Sequence, residues 1–317
     1  MMGVAVFLGV FELLVLFLVP VVLLAVVVGV VLVATARSEA TLTSEVAGAR
    51  RHAVTTSAVS ALLMLGAPLL LVLCFGVTVV TGLAGLPFLT SARVLAVTPL
   101  VGVLAGLCAL LVGELTWPRP TGTSRTALLQ DRSLRTLLQG AWVRAAAAIT
   151  VLTAAALVVG GLVADESGQA IRHQRVDGAE TAGPFPGWVY AGPQLTVLLL
   201  CGLVAALTLR AVLRRSAVVT ADADTDGLLR RASVGRVCRA LTAGALVTLG
   251  PDLFLGGAAA ARAFDDGGWH TVAVALMATA PFLVLAGLVV LVLPVPRLPA
   301  VSAYAVPPAP SVPMGSA

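Results

Sequence analysis

The sequence predicts an all-α membrane protein, a polytopic transmembrane helix bundle with seven spans. Three observations predict it. Seven long apolar runs divide the chain, only 11% of its residues are charged, and almost all of its arginine falls in alternate gaps between the runs. A soluble domain carries about a quarter charged residues, whereas here 59% of 317 residues are hydrophobic and the mean hydropathy is +1.04. Hydrocarbon offers no partner to an unpaired backbone N–H or C=O, so each crossing must be a helix of about 20 mostly apolar residues.

The qualifying runs, in order, are roughly 5–34, 57–82, 94–113, 145–164, 193–209, 240–260 and 271–293. The first is too long for one upright span and must tilt, kink at Pro20 or project beyond the bilayer. The gap after it holds Arg37, Arg50 and Arg51, the next only Arg93. The third gap holds Arg119, Arg125, Arg132, Arg135 and Arg144, and the fourth Arg172 and Arg175. The fifth is richest, with Arg210, Arg214, Arg215, Arg230, Arg231, Arg236 and Arg239; Arg262 is alone in the sixth and Arg297 in the tail. By the positive-inside rule the odd gaps are cytoplasmic, which sets the N-terminus outside and the C-terminus inside. Ala34-Thr35-Ala36 has the small residues of a signal-peptide cleavage site, but the leading run lacks a basic start and is about twice the usual length. It is read as a span.

Residues 1–293 thus form the membrane domain. After Pro294, repeated prolines and small residues cannot bury a core, so 294–317 is read as a disordered Pro-rich cytoplasmic tail. Residues 124–139 read as a moderately amphipathic cytoplasmic helix, with Leu134, Leu137 and Leu138 on one side and arginines on another. The 165–192 connection is the longest on the outside. It ends in aromatics, among them Trp188 and Tyr190, which suit a membrane-interface belt, as do Trp142 and Trp269. Trp117 and Arg119 fill the same anchoring role at the inner end of the third run, where Pro118 and Pro120 end the helix. Three arginine-led hairpins after a first helix form a faint internal echo.

A net charge of +5 and a pI near 9.7 are explained by topology, so no nucleic-acid partner is expected. The basic side chains other than His52, His173 and His270 are all arginine, which excludes a Schiff base to retinal or pyridoxal phosphate. Arginine-only usage reads as GC-rich coding bias, in keeping with a bacterial plasma membrane. Cys74, Cys108, Cys201 and Cys238 lie in or beside apolar runs and read as small buried hydrophobes rather than disulfides.

Asp252 is the most informative polar residue. It sits in Leu249-Gly250-Pro251-Asp252-Leu253, about 20 Å up a helix from Arg239. A carboxylate near the bilayer centre costs roughly 2.5–3.5 kcal/mol on insertion scales, so it should face helices or water. Pro251 removes a backbone donor and frees carbonyls for a polar cavity. One reading is a proton- or cation-binding carboxylate; the other is a protonated acid bonded to a threonine or a backbone carbonyl. Glu12, about 33 Å above the Arg37 side, lies nearer the outer interface than the midplane and would share a site with Asp252 if the helices touch. Prolines 20, 68, 99, 251 and 281 interrupt five runs, as in many transporters.

Weaker patterns carry less. His173, Asp265, Asp266 and His270 lack a metal-ligand spacing, and Asp222-Ala-Asp224-Thr-Asp226-Gly227 opens like a calcium loop but has Ser233 where its bidentate glutamate belongs. Those acids instead suit the start of a helix near Leu228. No H-E-x-x-H, Walker A or G-x-S-x-G motif occurs. The sequence therefore predicts no enzyme, no metal and no cofactor. It predicts a membrane component, an accessory, scaffold or sensor, whose partners are the lipid bilayer and a candidate second membrane subunit. The alternative is a small-solute or proton-coupled transporter using Asp252.

Overall fold

The computed structural model describes residues 44–81, 92–117, 140–175, 178–216, 223–264 and 267–293. The first apolar run with Glu12 and Pro20, Arg119 with the expected helix at 124–139, Asp222, Asp265, Asp266 and the tail lie outside them. The described chain forms α1 (Ser44–Thr81), α2 (Ala92–Leu115), α3 (Ala141–Val163), strands β1 (Ile171–Arg175) and β2 (Gly178–Ala182), then α4 (Trp188–Arg214), α5 (Ala223–Ala263) and α6 (Gly268–Val292). All six helices are long and apolar enough to cross a membrane, as fits a multi-pass integral membrane protein. The predicted seventh crossing, at 5–34, falls outside the described residues.

Two helices outgrow the runs that predicted them. α5 begins at Ala223, not near 240, and α1 at Ser44, not 57. At 1.5 Å per residue each is about 60 Å long, twice the hydrocarbon thickness, so both project beyond it. Arg230, Arg231, Arg236 and Arg239, expected in a connection, are therefore helical residues of α5. The prolines do not break the helices either. Pro68, Pro99, Pro193, Pro251 and Pro281 all lie inside continuous α-helix, since neighbouring helices and adjusted geometry take up the freed carbonyls in lipid.

α1, α3 and α5 run one way and α2, α4 and α6 the other, as three antiparallel pairs. The pairs meet through glycine. A Cβ at Gly102 on α2 would lie 2.5 Å from both the Met64 carbonyl oxygen and Pro68 Cγ of α1. The Ser60 hydroxyl donates to the Gly106 carbonyl at 2.9 Å. Between α5 and α6, a Cβ at Gly257 would be 2.7 Å from the Ala273 carbonyl and one at Gly250 2.9 Å from that of Ala280. Lipid tails are as apolar as leucine, so close backbone approach and dispersion contacts replace the hydrophobic drive. α5 is the hub, touching α2, α3, α4 and α6, while α1 and α6 sit at the flanks. Leucine, valine and phenylalanine side chains such as Leu62, Leu70, Phe282 and Leu285 point outward from those flanks.

The connection between α3 and α4 carries a hairpin. β1 and β2 pair antiparallel, with Ile171 opposite Ala182 and His173 opposite Glu180. Ile171, Ala182 and Phe185 bury against Ala259 and Ala263 at the end of α5. Asp165 ties the preceding turn: its carboxylate accepts from Ser167 Oγ at 2.6 Å and from the Ala170 N–H. The Ser167 hydrogen bond holds that carboxyl below its ordinary value.

Candidate functional site

Polar chemistry gathers at two levels of the bundle. Nearer the hairpin, Asp252 of α5 meets Gln194 of α4 and α2's Ala96. Both hydrogens of the Gln194 amide are used: Nε2 donates to the Ala96 carbonyl at 3.1 Å and to Asp252 Oδ1 at 3.1 Å. The partner of Asp252 is thus neither a threonine nor a backbone carbonyl, but an amide. Three prolines surround the contact in sequence, Pro99, Pro193 and Pro251, each removing one backbone donor from its own helix. Gln194 is 1% exposed, and among the described residues neither its Oε1 nor the buried Oδ2 of Asp252 has a hydrogen-bond partner. Two covered acceptors without donors are costly, about 1–3 kcal/mol each. A proton on Asp252 converts one of them into a donor, and a small cation would satisfy both.

At the opposite end, basic side chains take the C-terminal carbonyls that a helix leaves unpaired. His52 Nε2 donates to the Gly113 carbonyl of α2 at 2.8 Å. Arg230 donates to the carbonyls of Val212, Leu213 and Arg215 at the end of α4, and Arg239 to that of Leu293 after α6. The two arginines place positive charge at the negative ends of helix dipoles. Asp226 holds Arg230 Nε at 2.7 Å, one helical turn away. The pair lies inside α5, which starts at Ala223 rather than near Leu228.

Between those caps lies a buried ion cluster. Glu114 Oε2 accepts from Arg215 Nη1 at 2.8 Å, and its Oε1 lies 3.8 Å from Arg236 Nη2. Ser233 Oγ accepts from both arginines, at 3.3 and 2.8 Å. Arg236 Nη1 also reaches the Ala53 carbonyl and the Ser57 hydroxyl of α1. The Arg215 guanidinium stacks 3.8 Å over the Trp117 ring, and His52 meets that ring edge-on. Burial lowers the Arg215 pKa from its ordinary value, with Glu114 opposing.

The expected aromatic anchors divide. Trp142, Trp188 and Trp269 are exposed at 41, 46 and 70%, whereas Trp117 is buried beneath Arg215. Tyr190 is half-buried, and Arg119 and Glu12 lie outside the described residues. His173 packs on Phe264, with ring centroids 4.5 Å apart. His270 Nδ1 donates to the Phe264 carbonyl at 3.0 Å, beyond the end of α5. No group of three potential metal ligands gathers among the described residues.

Sequence reasoning passes over Gln194 and Glu114. A signal for the first is the pair Gly192-Pro193-Gln194 and Gly250-Pro251-Asp252, two like triplets in apolar runs. Glu114 shows no pattern beyond a carboxylate at a span end. Comparison of the chain with protein-family models, curated proteins and solved structures finds no match in any of the three.

Proposed function

We propose that this chain is a seven-span protein of the plasma membrane, with its N-terminus outside and its arginine-rich end in the cytoplasm. It serves there as a non-enzymatic component, an accessory, scaffold or sensor subunit. The observation that carries the reading is how the polar side chains are spent. His52, Arg230 and Arg239 cap helix ends, and Glu114, Ser233 and Arg236 tie α1, α2 and α5 together. The apolar flanks of α1 and α6 remain for lipid or a second subunit. Purification from the native membrane in mild detergent, followed by mass spectrometry, tests this. A stoichiometric second chain supports the reading, and reproducible isolation alone contradicts it.

One specific observation favours a second reading, proton- or cation-coupled transport. It is that Asp252 Oδ2 and Gln194 Oε1, where three helices meet, have no hydrogen-bond partner among the described residues. In proteoliposomes, Asp252→Asn should then abolish flux while the fold is retained. Unchanged flux sinks the idea.

A further inference from the structure

The arginine end carries more positive charge than capping uses. Arg230 is balanced by Asp226, and Arg239 is spent on the Gly235 and Leu293 carbonyls. Arg215 and Arg236 are left sharing the single carboxylate of Glu114, so one of their two charges has no counter-ion among the described residues. Arg215 is 6% exposed and uses only Nη1, towards Glu114 and Ser233. Its Nε and Nη2 are buried with no hydrogen-bond partner among the described residues, and so is Nε of Arg236. Nε–H and Nη2–H of one guanidinium point the same way. They form the edge that grips two oxygens of a phosphate at once. Trp117, stacked on the guanidinium face, fixes the plane of that edge.

We propose that the free edge of Arg215, with Arg236 as a second charge, is a binding site for a phosphate group. The ligand is an anion with at least two oxygens, because a single acceptor would leave one buried donor unmet. Carboxylates match the fork as well, and a phosphate adds oxygens beyond the two that the fork takes. The phosphate comes from an anionic phospholipid headgroup or from free phosphate in the aqueous phase. The proposal stands apart from the reading above, since it depends on neither orientation nor a partner subunit.

The full chain, washed free of lipid in neutral detergent, is unfolded thermally in the presence of phosphatidylglycerol or inorganic phosphate at matched ionic strength. A saturable rise of the midpoint is expected. A rise with phosphatidylglycerol alone identifies the headgroup, and one with inorganic phosphate identifies the free anion. Arg215→Lys keeps the charge and loses the two-pronged edge, so it should weaken half-saturation at least tenfold. Arg231→Gln, an exposed change on the helix that carries Arg236, should not move it. If Arg215→Lys does not unfold cooperatively, the titration is read on Arg236→Gln, where the same weakening is expected. No rise with either additive overturns the site, as does a rise that the variant read leaves unchanged.

Discussion

Asp252 and Glu114 illustrate two uses of a carboxylate in a bundle this apolar. Glu114 is held by Arg215 at 2.8 Å with both side chains almost wholly buried. Removing one partner of such a pair strands the other charge, at about 3–5 kcal/mol. Glu114→Gln should therefore lower stability by that order in detergent unfolding, while Arg231→Gln stays within about 0.5 kcal/mol. Asp252 differs because its one hydrogen-bond partner among the described residues is an amide. Asp252→Asn keeps an acceptor oxygen for Gln194 and should leave the unfolding midpoint nearly unchanged. Gln194→Leu takes the one donor from the buried carboxylate, and should cost about 1–3 kcal/mol. Equal effects of the two substitutions in the same assay would contradict this. Asp252 is legible in sequence because an acid in an apolar run is conspicuous. Gln194 is not, because it sits at the edge of its run behind Pro193, where an amide reads as interfacial.

Helix existence was readable from hydropathy, while helix length was not. Hydropathy reports where lipid is, and α1 and α5 continue as helices where lipid stops. Their extensions are held by Arg236 and Arg230 gripping carbonyls of α1 and α4, contacts between distant parts of the chain that no local pattern encodes. The 165–192 connection is likewise more than a polar loop, since Ile171 and Phe185 give its hairpin an apolar side to bury on α5. Packing between α1 and α2 was partly legible in Gly102-Val-Leu-Ala-Gly106, the small-residue spacing of close helix pairs. Gly102→Val would drive its side chain into the Met64 carbonyl, which cannot swing aside as a side chain can. It should cost about 1–3 kcal/mol, seen as an earlier detergent unfolding transition. Gly48→Ala on α1, which meets open space, should leave that transition in place.

Taken whole, the molecule is a bundle with two unlike ends. One gathers the N-termini of α1, α3 and α5 and the C-termini of α2, α4 and α6 around buried arginines; the other is covered by the hairpin. The alternation of arginine along the sequence foretells the first end, and the structure adds that its inner arginines are built into the fold rather than left in loops. Arg230 and Arg239 cap helices that return to that end, so its charge is structural as well as topological. The proposed orientation places the arginine end in the cytoplasm and the hairpin outside. Labelling of Thr181→Cys tests it most directly. Thr181 is exposed on β2, and the four native cysteines are replaced beforehand. The account predicts modification of intact cells by a membrane-impermeant maleimide. Modification only after the membrane is opened would place the hairpin inside and contradict it.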